Sequence, residues 1–78
     1  MTTSQVRWHK GNERFYQVRL QKDLLGDWSL TCIWGSRRSR LGNYKNHTFD
    51  TQNEAWLFIQ ELRERRRKRG YEEVAPTL

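Results

Sequence analysis

Cysteine, proline and histidine are almost missing from this chain of 78 residues, which holds one Cys, one Pro and two His. A single cysteine, Cys32, excludes an intramolecular disulfide and any cysteine-based zinc site. It stands in an alternating apolar stretch, where a lone Cys acts as a small core side chain rather than a nucleophile. His9 and His47 belong to no metal-ligand cluster, so neither a metal nor any other cofactor is expected. Long apolar runs are missing too. The opening, Met1 to Gln5, is polar, and no stretch after it has the length of a signal peptide or a membrane span. The expected location is the cytoplasm, with no membrane partner. Nor does the chain bring together the groups of a catalyst. It shows no Ser-His-Asp or Cys-His arrangement, no paired carboxylates flanking a pocket and no phosphate-binding glycine loop. Each reaction class needs such groups, so neither an enzyme nor a small-molecule substrate is expected.

What is present starts with rings and cations. Apolar residues make up only 35% of the chain and mean hydropathy is −1.08, values that border on disorder. Four Trp, three Tyr and three Phe argue for a folded core, because a few large rings can build one with little aliphatic help. The length allows one domain, and a domain this small buries only about 60% of the surface its unfolded chain exposes. Net charge is +6 and the pI about 10.1, which makes an anionic partner the first expectation. The charge is uneven: residues 37–69 hold ten cations against four acids.

Hydrophobic periodicity organises the chain. Residues 1–12 read as a flexible N-terminus, with a short edge strand at Val6 to Lys10 broken by Gly11-Asn12. From Arg14 to Lys22, Tyr16, Val18 and Leu20 alternate with Gln17, Arg19 and Gln21. From Trp28 to Trp34, Trp28, Leu30, Cys32 and Trp34 share one face. A period of two over both stretches, with Gly26 in the connection, describes an antiparallel hairpin. Leu41 to Phe49 reads as a further strand, bent or bulged at Gly42. Thr51-Gln52-Asn53-Glu54 fits a capping box, and the helix it opens, Gln52 to Lys68, puts Ala55, Phe58, Ile59 and Leu62 on one stripe. Gly70 suits the C-terminal cap, and Tyr71 to Val74 can return to the sheet edge. Arg66 and Arg69 continue the apolar stripe, so the last turns are expected to project past the sheet into solvent. The expected fold class is α+β, a small antiparallel sheet of three to four strands packed by one long C-terminal helix. The domain proper runs over residues 13–74, with a loose tail at 75–78.

Two stretches point to function. Arg63-Glu64-Arg65-Arg66-Arg67-Lys68-Arg69 places six cations in seven positions, more than the helix dipole needs. Arg63, Arg66, Arg67 and Arg69 are therefore candidate phosphate contacts, although a solvated helix end is the plainer alternative. Trp34-Gly35-Ser36-Arg37-Arg38-Ser39-Arg40 sets a ring and a glycine beside three guanidinium donors, the parts that hold a terminal or single-stranded nucleotide. Trp34, Gly35, Arg37, Arg38 and Arg40, with Lys45 on the following strand, complete the candidate set. Alternation alone assigns Trp34 to the core face with Trp28, Leu30 and Cys32.

These residues carry a family likeness. The chain resembles the WGR domain, a module of several DNA-dependent poly(ADP-ribose) polymerases and of short free-standing bacterial proteins. The likeness runs from about Arg14 to Tyr71 through Phe15-Tyr16, Gly26, Trp28, Trp34-Gly35, Gly42, Phe49, Glu54-Ala55, Phe58, Leu62 and Gly70-Tyr71. It implies DNA binding at strand breaks, with the motif Trp packed on a terminal nucleotide and the motif Arg on backbone or neighbouring domains. On that basis Trp34 is a contact residue. Ser36 departs from the pattern, because it stands where the motif has arginine and cannot supply a bidentate cationic fork. The catalytic domain of the polymerases is absent from this sequence. The leading expectation is a nucleic-acid-binding module that favours DNA over RNA and grips the backbone and strand ends or nicks. The alternative is a protein-protein interaction module without direct nucleic-acid contact.

Overall fold

Five strands and one helix account for the residues that the computed structural model describes, 3–39 and 42–74. The strands are β1 (Thr3–Lys10), β2 (Arg14–Lys22), β3 (Trp28–Ser36), β4 (Gly42–Phe49) and β5 (Glu72–Val74), with helix α1 (Gln52–Lys68) between the last two. They form one antiparallel sheet in the order β4-β3-β2-β1-β5. The α+β class and the C-terminal helix stand as expected, but the sheet has five strands rather than three or four.

Strands β1 and β5 come from the two ends of the chain, and β5 returns to the sheet edge as expected for Tyr71 to Val74. β1 begins at Thr3, inside the stretch read as a flexible N-terminus, and it is not an edge strand because β2 and β5 pair with its two sides. Val6 and Trp8 explain this: both are buried beneath the helix, and Trp8 packs edge-on to Tyr16 at 6.0 Å. Ser4 and Gln5, ahead of them, give the sequence no apolar alternation to announce where the strand starts. β5 is held by pairs from Arg7 to Val74 and from His9 to Glu72. Residues 75–78, together with Arg40 and Leu41, lie outside the described residues.

The hairpin of β2 and β3 follows the alternation in its sequence. Val18, Leu20, Leu30 and Cys32 are at most 1% exposed and form the floor on which Ala55, Ile59 and Leu62 pack. The connection between the strands is a closed turn in which the Asp23 carboxylate accepts from the Leu25 and Asp27 amides at 2.9 and 3.0 Å. Gly26 stands there at φ +90°, a conformation that a side chain would resist. Gly42 opens β4 in register with Gly35 rather than bulging it. A Cβ at Gly42 would come within 3.1 Å of the Trp34 carbonyl oxygen, so the small residue serves close approach.

Both ends of α1 are capped. The Thr51 hydroxyl accepts from the Glu54 amide at 3.2 Å, as the capping box requires. At the other end the Tyr71 amide donates to the Arg66 carbonyl at 2.9 Å and the Gly70 amide to the Arg67 carbonyl at 3.1 Å. With Gly70 at φ +88°, this is a Schellman closure. The side-chain contact that usually accompanies it is made here by a cation, since the Arg66 guanidinium lies 5.3 Å from the Tyr71 ring centre. The helix end therefore does not project into solvent at Arg66. That residue is half-buried over the sheet, while Arg69 is exposed.

Two histidines tie stability to acidity. The His9 Nε2 accepts from the Arg7 Nε at 2.8 Å, and His47 packs 4.7 Å from Phe58. Burial, then the charges of Arg37 and Arg7, hold His9 below its usual range, and burial with Lys45 does the same for His47. Both groups bind protons less readily folded than unfolded. Their stability is therefore complete above the unfolded value near 6.5 and is lost as pH falls through and below it. Thermal unfolding is expected to shift to lower temperature between pH 7.5 and pH 5. A His9→Gln/His47→Gln variant should show a smaller shift over the same range, and an equal shift would remove the histidines as the cause.

Candidate nucleic-acid interface

Strand register, not sequence proximity, builds the cleft around Trp34. Tyr16 is its cross-strand partner, and their rings stack at 5.8 Å with planes 14° apart. Arg14 is opposite Ser36, and Asn43 is opposite Trp34 on the other side. Trp34, Gly35, Ser36 and Arg38 thus face Arg14, Glu13 and Asn43 across an open cleft of about 460 Å³. Trp34 is half-buried and packs against the core, on the face that alternation assigned to it. One part of the ring rests on Tyr16, and another lines the cleft.

Tyr16 is itself held from behind. The Arg66 guanidinium lies 4.4 Å from its ring centre. Burial and a hydrogen bond with the Cys32 thiol push its hydroxyl up to about 12, so it stays neutral throughout the physiological range. The sequence Trp34, Tyr16, Arg66, Tyr71 is one continuous stack from β3 across β2 to the end of the helix. Arg66 Nε is buried without a hydrogen-bond partner, and the guanidinium lies against the rings of Tyr16 and Tyr71.

The helical cations divide between two flanks. Phe58 meets His47 and Phe49 at 4.7 and 5.4 Å, which marks the β4 side of the helix. Arg63 bonds to Glu73 at 3.0 Å, which marks the β5 side. On a wheel of about 3.6 residues per turn, Arg65 and Arg69 each fall about 20° from Phe58, whereas Arg67 follows Arg63. Arg67 pairs with Glu64, and its hydrogen bond and charge hold that carboxyl below its usual range. Arg63 and Arg67 are therefore partly neutralised on the far flank, although such exposed pairs contribute little to stability. Arg65 and Arg69 are exposed on the flank that faces β4, and the charge of Arg65 reaches Tyr16.

The loop cations divide as well. Arg37 donates to the Gly11 carbonyl at 3.0 Å and is turned toward the β1–β2 turn. Arg38 lines the cleft, and its amide donates to the Ser36 hydroxyl at 3.1 Å. Ser36 stands on the cleft side of β3, and Arg38 and Arg14 bring cations to the place where it has none. Lys45 is exposed on the cleft face of β4, opposite Cys32, and Arg40 is outside the described residues. Sequence reasoning missed Arg14, Asn43 and Arg65 as members of this surface and Tyr16 as the backing ring. The hairpin register could have supplied Arg14 and Tyr16, and the helical wheel Arg65.

Among the described residues, no helix is long and apolar enough to cross a membrane. No curated protein and no solved structure matches the chain. The WGR domain model matches residues 1–77, nearly the whole sequence, and with Trp34-Gly35 at the end of a strand and the helix packed behind it, this chain belongs to the WGR domain family.

Proposed function

We propose that the chain is a DNA-binding module that acts by binding alone, gripping the phosphate backbone and packing Trp34 on a terminal nucleotide at an end or nick. The observation that carries this reading is the Trp34 ring, backed by Tyr16 and opening onto a cleft with Arg14 and Arg38. A ring fixed on one side loses little freedom when a base or sugar packs on it, and guanidinium groups beside it suit phosphate oxygens. Arg65, Arg69 and Lys45 extend the cationic surface along the same flank, so a backbone entering the cleft meets further donors. Ser36 in place of the motif arginine shifts the cationic contact to Arg38 and Arg14. The ion pairs of Arg63 and Arg67 make them secondary contacts.

The test is the salt dependence of binding to a blunt duplex. Each phosphate contact contributes about 0.9 to the slope of log affinity against log salt. The triple variant Arg38→Gln/Arg65→Gln/Arg69→Gln is expected to flatten that slope by about 2 to 3 units. Arg63→Gln/Arg67→Gln should change it by less than half as much. Absence of duplex binding would leave the protein-interaction reading in its place, and a triple variant with the parental slope would remove these three arginines as the phosphate contacts.

A further inference from the structure

The sheet face away from the helix is uncovered among the described residues, and Phe15, Ile33 and Tyr44 interrupt an otherwise mostly polar surface. Register sets its side chains in rows. Arg7, Gln17, Ile33 and Tyr44 form one row across β1 to β4, and His9, Phe15, Gly35 and Gly42 form the next. A water-facing row of an antiparallel sheet ordinarily turns polar. Here Phe15 and Ile33 are half-buried, and Tyr44 is 72% exposed on the outermost strand. Gly35 and Gly42 leave a floor of bare backbone between them, about 10 Å across counting the strand spacing on either side. Phe15 stands at one end of this floor, and the neighbouring row presents Ile33 and Tyr44 along its side.

Charge favours an anionic occupant. Arg7 lies 4.6 Å from the Phe15 ring centre and is fixed by its bonds to His9 and to the Gln17 amide oxygen at 2.7 Å. Arg19 is exposed one row further along. Arg37 is anchored beside the β1–β2 turn, close enough for its charge to act on His9. Glu72 is the one acid that the register places on this face, at its far edge. Gln5, Asn46 and Thr48 add hydrogen-bonding groups that can meet base edges.

We propose that this open face is a second, separate surface for single-stranded nucleic acid, in which a base lies on the Gly35–Gly42 floor between Phe15 and Tyr44 while phosphates meet Arg7, Arg19 and Arg37. A flat floor with rings at its margins accepts any base, because every base has a π-face. The surface backs directly onto the Trp34 cleft: Gly35 follows Trp34 and Gly42 precedes Asn43, so the two occupy opposite sides of the same sheet end. A strand leaving the cleft thus has a second surface within one sheet thickness.

The experiment titrates the full chain with a single strand of about ten thymidines, within the usual site size, and separately with a blunt hairpin duplex. Tyr44→Ala/Arg19→Gln is chosen because both side chains are exposed and the unfolding temperature should hold. The double variant is expected to bind the single strand about tenfold or more weakly and the duplex within about twofold of the parent. Single-strand affinity equal to the parent's in the folded variant would overturn the proposal. So would a chain that binds the duplex and no single strand, which would leave the Trp34 reading intact, whereas binding to neither would remove both. A dimer in sedimentation that the same substitutions abolish would assign the face to a second copy, which also overturns it.

Discussion

Trp34→Ala is expected to weaken both the fold and the binding. A fully buried Trp costs about 3 to 5 kcal/mol when cut to Ala. Trp34 is half-buried with one neighbour ring stacked on it, so about 2 kcal/mol is the expected loss. In a domain of this size that lowers the unfolding temperature by about 10 to 15 °C. Affinity for duplex ends should fall by about 1 to 3 kcal/mol, roughly five- to 150-fold, when measured at a temperature where the variant is folded. A lowered unfolding temperature with unchanged affinity would make Trp34 a core residue alone. Lost affinity at an unchanged unfolding temperature would mean that the stack on Tyr16 contributes nothing to stability.

Arg66→Gln separates positioning from phosphate contact. The guanidinium lies over Tyr16 and near Tyr71, and each such contact is worth about 0.5 to 2 kcal/mol. Its buried Nε without a partner costs about 1 to 3 kcal/mol. The hydrocarbon stem adds apolar burial, so the sum favours keeping the arginine and its removal should destabilise by about 1 to 2 kcal/mol. Affinity for duplex ends should drop because Tyr16 no longer holds Trp34 in place. The slope against salt should not change, since no phosphate contact is removed. Arg66→Lys restores charge without the planar group and should recover only part of the loss. A slope flattened by about one unit with the parental unfolding temperature would make Arg66 a phosphate contact instead.

Much of this was legible in the chain because it is local. Period-two alternation in Tyr16, Val18 and Leu20 and in Leu30, Cys32 and Trp34 placed those residues on the helix-facing side. The hydroxyl of Thr51 and the glycine at Gly70 mark the helix ends for reasons confined to four or five neighbouring residues. The concentration of cations after Trp34 and the Trp34-Gly35 pair marked the candidate surface. The sequence by itself therefore determined the type of each main element, the face each residue turns to the core, and the positive charge of the candidate surface. Only the tertiary structure decided how the other strands join the β2–β3 hairpin, and it made β1 interior rather than an edge by pairing β5 to its free side. It also decided what each cation meets. Arg63 and Arg67 meet acids, Arg37 meets a carbonyl and Arg66 lies against rings, while Arg65 and Arg14 enter a surface they did not advertise. The physical reason is that periodicity specifies the direction of a side chain relative to its own element. What that side chain meets depends on elements far away in the chain, and those pairings are set by the packing of the whole domain.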